Sequence, residues 1–131
     1  MNETSMRAKV TEALRSLDAI SVENAVMPGT PDVEFIGGWV ELKYVPAWPK
    51  RLGTALAVPH FTPIQRAWLR RRIRRGGKAW LLLRVDCEWM LFRGDVAADI
   101  LGHVNREELL NAADVFWSET PSNEELLTAL R

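Results

Sequence analysis

Pro31-Asp32-Val33-Glu34-Phe35-Ile36-Gly37-Gly38-Trp39-Val40-Glu41-Leu42-Lys43 decides how the rest of the chain is read. A Gly-Gly pair between two alternating segments predicts a β-hairpin. With Gly37 and Gly38 as a two-residue turn, Ile36 faces Trp39, Phe35 faces Val40 and Glu34 faces Glu41. Val33 then faces Leu42, and Asp32 faces Lys43. Side chains alternate along a strand, so Val33, Phe35, Val40 and Leu42 form an apolar face. Asp32, Glu34, Glu41 and Lys43 gather on the other. Like charges across a strand pair repel. Three carboxylates around one ammonium need a reason, and a bound cation is the simplest.

Upstream, Thr4 to Leu17 reads as a helix, with Met6, Val10, Ala13, Leu14 and Leu17 on one face. Ile20 to Val26 alternates loosely and reads as a strand, and Met27-Pro28-Gly29-Thr30-Pro31 as a turn. Downstream, Val45 to Pro59 holds three prolines and is a loop. Thr62, Pro63 and Gln65 form the start signal of a second helix: N-cap, first-turn proline and capping box. That helix runs to about Arg75 and stops at Gly76-Gly77, with Ile64, Trp68, Leu69 and Ile73 as its buried stripe. Ala79 to Val85 is a continuous apolar strand of the kind covered on both faces. Asp86-Cys87 turns the chain into Glu88 to Phe92. Beyond Gly94 the segments Val96–Leu101, Arg106–Ala113 and Asn123–Leu130 read as helical. The order helix, three strands, helix, strand predicts an α/β fold with a mixed sheet flanked by helices and a short helical C-terminal extension.

At 131 residues the chain fits one domain, with a core over about 1–92 and an acidic extension over about 95–131. The longest apolar runs are far too short to span a bilayer. Residues 1–7 lack the zones of a signal peptide. One cysteine, Cys87, excludes an internal disulfide and fits a reducing cytosol. With only His60 and His103 beside it, the composition argues against structural zinc. Net charge is zero but unevenly spread: residues 61–94 carry nine Lys/Arg against two Asp/Glu, and residues 95–131 carry two against eight. Such a basic middle points to nucleic acid.

Hard divalent cations take oxygen ligands, and Mg²⁺ is held by one or two carboxylates plus water. In the register above, Asp32 and Glu41 are diagonal neighbours on one face, with backbones roughly 7–8 Å apart. A metal between them polarises a phosphodiester and acidifies a bound water. Lys43, on the same face, is placed to stabilise charge on the phosphate.

Pro31-Asp32 followed by Glu41-Leu42-Lys43 resembles the PD-(D/E)xK nuclease superfamily, and the element order resembles its restriction-endonuclease-like core. Within it the chain is similar to small phage-type members of the VRR-NUC and Holliday-junction-resolvase-like group. Gly29-Thr30-Pro31-Asp32, Trp39 to Lys43 and Phe61-Thr62-Pro63-Ile64-Gln65 carry that match. The resemblance covers about residues 1–92. It implies metal ligation of Mg²⁺ or Mn²⁺ by Asp32, Glu41 and the Leu42 carbonyl, with Lys43 in the transition-state role. It implies that Gln65 lies beside the site and that Glu3 is the acid of the first helix, with Glu12 as runner-up. The family motif has glutamine where Arg7 stands. The resemblance further implies branched or junction DNA as substrate, a homodimer, no organic cofactor, no membrane, and the cytoplasm of a bacterium or phage-infected cell.

Plainer readings stand beside these. Asp32 opposite Lys43 is also what an ordinary cross-strand salt bridge looks like, with Glu34 and Glu41 merely solvated. Gln65 is explained by the capping box alone. Arg70, Arg71, Arg72, Arg74 and Arg75 crowd a helix C-terminus, where the dipole favours cations. Five in six positions exceeds that need, so Arg70, Arg71, Arg74 and Arg75 are candidate phosphate contacts. Lys50 and Arg51, beside Trp48, are candidates for a DNA-contacting loop, though such a Trp equally closes the edge of a core. Trp68, Trp80 and Trp89 read as core. The rival to an enzyme is a nucleic-acid-binding or assembly protein that keeps the fold without the chemistry.

Overall fold

A computed structural model describes residues 2–24 and 26–131. Helix α1 (Glu3–Ala13) starts where the Asn2 side chain accepts the Ser5 N–H at 2.9 Å. It buries Met6, Val10 and Ala13 and ends in a short 3-10 turn, Arg15–Leu17. Strands β1 (Ile20–Ser21), β2 (Val33–Phe35) and β3 (Gly38–Val45) follow as an antiparallel meander. Helix α2 (Pro63–Arg74) crosses over to β4 (Ala79–Val85), which lies parallel to β3. Strand β5 (Glu88–Arg93) and helices α3 (Gly94–Ile100) and α4 (Arg106–Ala112) come next. Strand β6 (Val115–Trp117) and helix α5 (Asn123–Leu130) complete the order.

The result is an α/β architecture with a six-stranded mixed sheet in the order β1-β2-β3-β4-β5-β6. Alternation along the central strands divides the core. Val40, Leu42, Leu82, Trp89 and Leu91 pack with Met6, Val10, Leu126 and Leu130, under α1 and α5. Leu81, Leu83, Val85, Met90 and Phe92 pack with Trp68, Leu69, Ala97, Leu101 and Leu109, under α2, α3 and α4. Strand β4 is covered on both sides, as its apolar run Ala79–Leu83 requires. No helix among the described residues is long and apolar enough to cross a membrane.

Four local expectations change. The hairpin turns at Ile36-Gly37, not Gly37-Gly38: Phe35 pairs with Gly38, Glu34 with Trp39 and Val33 with Val40. Gly37 supplies the positive φ, 102°. Gly38 is already in the strand, where a Cβ would sit 2.9 Å from the Phe35 ring and 3.0 Å from the Lys78 carbonyl. The strand expected over Ile20–Val26 is reduced to Ile20–Ser21, with Ala25 outside the described residues. Ile64, placed in the buried stripe of α2, is 54% exposed, while Trp68 and Leu69 are buried. Val115–Trp117 forms an edge strand that the helical reading of the extension passed over.

Candidate functional site

Pro31 explains why a site forms here. Extending the observed hairpin register places Asp32 opposite Glu41 and Pro31 opposite Leu42. Proline has no N–H, so the ladder stops. The Leu42 N–H turns instead to the Asp32 side chain, donating to Oδ2 at 2.8 Å. A strand residue directs its N–H and C=O to the same edge, so the Leu42 carbonyl opens toward Asp32 as well, and Pro31 has no donor to offer it. Just upstream, Gly29 (φ 91°) lets the turn press on α2; a Cβ there would lie 2.7 Å from the Ile64 side chain. The notch in the sheet thus lies beside the start of α2.

Glu41 and Lys43 point to the face under α2, opposite to Val40 and Leu42. Both are buried, at 2% and 5% exposure. Lys43 Nζ lies 3.4 Å from Glu41 Oε2, donates to the His60 carbonyl at 3.0 Å, and sits 5.6 Å from the centre of the Phe61 ring. His60 adopts a left-handed φ of 68° where it offers that carbonyl. Asp32 is half-buried, and its Oδ1 accepts from Arg7 Nη2 at 2.8 Å. Arg7 reaches round the sheet edge from α1, and its Nη1 donates to Ser21 Oγ at 2.8 Å.

The electrostatics single out Glu41. Its carboxyl is pushed up to about 9, first by burial and then by the neighbouring Asp32 charge, against the opposing pull of Lys43. Glu41 Oε1 is buried and has no hydrogen-bond partner. A buried acceptor left unpaired costs about 1–3 kcal/mol. The oxygens grouped at the notch are those of Glu41 and Asp32, whose side chains interact directly, with the Leu42 carbonyl beside them by register. Among the described residues no three His, Cys, Asp or Glu side chains group as a metal site; this centre has two acids.

The other sequence-derived candidates fall variously. Gln65 completes the capping box: its Oε1 accepts the Thr62 N–H at 3.0 Å, and Thr62 Oγ1 accepts the Gln65 N–H at 3.2 Å. Glu3 is exposed at the first position of α1, one turn before Arg7. Glu12 is exposed and pairs with Arg15 at 3.4 Å. Lys50 and Arg51 lie exposed in the loop after β3. Trp48 anchors that loop, donating from Nε1 to Glu88 at 2.6 Å beneath the Arg106 guanidinium. Glu34 is half-buried and pairs with Trp39 across the hairpin. Trp68 and Trp89 are buried and Trp80 partly so. Arg7 was missed as a site residue although it stands where the resembled motif has glutamine; its pairing with Asp32 is made by the fold, which brings α1 to the edge of the hairpin.

Helix α2 divides its arginines between two flanks. Arg66 and Arg70, four residues apart, face α3. Arg66 donates to the carbonyls of Ala98 and Leu101 at 2.9 and 2.8 Å, and Arg70 pairs with Asp99 at 2.9 Å. Burial and a neighbouring cation lower the Arg66 pKa. Arg71 and Arg75, also four apart, lie on the flank that carries Ile64. They line an open depression with Arg72, Gly76 and Gly77. The Arg72 guanidinium stacks 4.5 Å from the Trp68 ring and 5.7 Å from that of Trp39. Arg74 is exposed.

Fold and site together define an α/β protein with a buried acid–amine centre at a notch in its sheet. Comparison of the chain with family models, curated proteins and solved structures gives no match.

Proposed function

We propose that this protein is a metal-dependent DNA endonuclease of the PD-(D/E)xK type, with a restriction-endonuclease-like core. The observation that carries the reading is the convergence of Glu41, Asp32 and Lys43 at one notch, with a buried carboxylate oxygen left without a partner. Asp32, Glu41 and the Leu42 carbonyl would hold Mg²⁺ or Mn²⁺. Bound there, such an ion polarises the phosphodiester and supplies an acidified water.

The chain's own groups do the rest. Arg7 and the Leu42 N–H fix both Asp32 oxygens. The His60 carbonyl and Glu41 hold the Lys43 ammonium. An ammonium has three N–H groups, so one remains for a phosphate oxygen as charge develops on it. The Phe61 ring lies against the amine, its centre 5.6 Å from Nζ. The substrate path follows the flank of α2 carrying Ile64, Arg71 and Arg75, roughly 18 Å long for twelve residues. Arg74, Lys50 and Arg51 stay available as outlying phosphate contacts, whereas Arg70 is engaged by Asp99. Branched or junction DNA and a homodimeric enzyme follow from the family resemblance.

The test is Mg²⁺-dependent cleavage of branched and linear DNA by the protein and by Asp32→Ala and Lys43→Ala. Cutting that both variants retain in full defeats the assignment. A second reading, a nucleic-acid-binding protein without catalysis, draws on the occupation of both Asp32 oxygens. It is favoured if Mn²⁺ leaves thermal stability unchanged while DNA binding persists.

A further inference from the structure

We propose that Arg7 serves as a built-in second cation of the acidic centre, positioning Asp32 and restricting the site to one divalent ion. The inference rests on the reading of that centre as a metal site.

The geometry of Arg7 is over-determined for a surface arginine. Its Nη2 meets Asp32 Oδ1 at 2.8 Å, and its Nη1 meets Ser21 Oγ at 2.8 Å and the Val22 carbonyl at 3.4 Å. The guanidinium is planar and rigid, so anchoring Nη1 on β1 fixes where Nη2 points. Only 27% of its side chain is exposed, close to the 23% of Asp32. Asp32 Oδ2 is already taken by the Leu42 N–H. Asp32 therefore presents one fixed edge to the notch and cannot swing to bridge two ions.

Charge counting decides the stoichiometry. Asp32 and Glu41 are the acids of the centre, and Arg7 and Lys43 balance them when both are ionised. One divalent ion then leaves an excess of two charges. A phosphodiester and a metal-bound hydroxide neutralise it. Two divalent ions would leave four, with no third acid grouped there among the described residues. Uncompensated charge in a part-buried site costs several kcal/mol per ion. The guanidinium, held behind Asp32 by Ser21 and the Val22 carbonyl, supplies a second positive charge to the centre without a ligand set of its own.

The experiment is a Mn²⁺ titration of the metal-free full chain, by calorimetry for affinity and by paramagnetic resonance for stoichiometry. The wild type is expected to bind one Mn²⁺ per chain. Arg7→Gln removes a like charge and is expected to tighten Mn²⁺ binding by roughly tenfold; Arg7→Lys is expected to return the affinity to the wild-type value. Two ions per wild-type chain overturns the proposal. So does weaker Mn²⁺ binding by Arg7→Gln in step with a lowered metal-free melting temperature, the signature of a mere staple from α1 to β1 and Asp32. So does a wild type that binds no Mn²⁺. If Arg7→Gln does not fold, Arg7→Met, which also removes the charge, takes its place in the same titration, and unchanged Mn²⁺ affinity in either variant overturns the proposal. A protein that binds one Mn²⁺ yet cuts no DNA overturns the nuclease reading and leaves the one-ion inference standing.

Discussion

Raising the pH of the metal-free protein should destabilise it through Glu41. The folded-state pKa of this carboxyl is pushed from 4.5 to about 9, by burial in the face under α2 and by Asp32, with Lys43 opposing. Between those two values the folded chain keeps a proton that the unfolded chain has released. Stability therefore falls as pH rises through the window, at about 1.4 kcal/mol per unit while only the folded state is protonated. From pH 5 to pH 8 the loss is roughly 4 kcal/mol, a large share of the 5–15 kcal/mol typical of a domain. Glu41→Gln keeps the shape and removes the titration. The groups facing Glu41 — Asp32 and Lys43, with Arg7 behind Asp32 — are common to both proteins, so the difference between them isolates this acid. The assay is urea unfolding of both in a chelating buffer at pH 5, 6, 7 and 8. Wild type minus variant should decline steadily across the series, and millimolar Mn²⁺, which favours the ionised carboxylate, should flatten the decline. A difference constant to within about 1 kcal/mol from pH 5 to pH 8 would refute the account of Glu41 as a neutral buried acid.

Three further outcomes are expected. Lys43→Ala strips the His60 carbonyl and Glu41 of their shared donor and should lower cleavage by at least about a hundredfold while costing roughly 2–3 kcal/mol in urea unfolding. Arg71→Ala with Arg75→Ala should flatten the salt dependence of DNA binding, reducing the slope of log K against log salt by about two, whereas Arg70→Ala should leave that slope unchanged. Gln65→Glu preserves the capping box with Thr62 and should leave the melting temperature within about 2 °C of wild type; cleavage that falls tenfold in that variant would assign Gln65 to the site as well as to the cap.

What the sequence made legible follows from periodicity. The side-chain period of a strand is two. Moving the turn from Gly37-Gly38 to Ile36-Gly37 shifted the hairpin register by two and left every residue on its expected face. Asp32, Glu41 and Lys43 stayed together even though the pairing changed. Strand β4 and helix α5 match the expected bounds because one is apolar at every position but Arg84 and the other opens on a complete capping box, Ser122 with Glu125. The register itself was not legible, because both turns use a glycine and only the packing of Gly38 against Phe35 and Lys78 separates them. Strand β6 was missed because its warrant is non-local: Val115, Phe116 and Trp117 pair with Leu91, Met90 and Trp89 across the sheet. The sorting of the arginines depended in the same way on α3, whose terminal carbonyls draw Arg66 and Arg70 away from solvent.

Stability alone gives no account of the acid on β3. Glu41 lies beside Leu81 in the parallel register, on a strand whose buried neighbours are Val40 and Leu42. An apolar side chain of similar volume would remove both the desolvation cost and the unpaired oxygen, a replacement that is often neutral or stabilising. Lys43 does not make up the difference, since the carboxyl remains pushed up to about 9 with the amine in place. The surroundings are arranged around the acid rather than against it. Pro31 ends the ladder at the one step that frees the Leu42 carbonyl, Asp32 replaces the missing backbone partner of the Leu42 N–H, and His60 takes a left-handed backbone where it holds the amine. A strained residue, a truncated strand and a buried acid within a single notch are costs of the kind that cluster at functional sites. In the metal-free fold the proton retained by Glu41 relieves its repulsion with Asp32; under the proposed reading a divalent cation would take that proton's place, with Glu41 Oε1 and the Leu42 carbonyl as further oxygen donors.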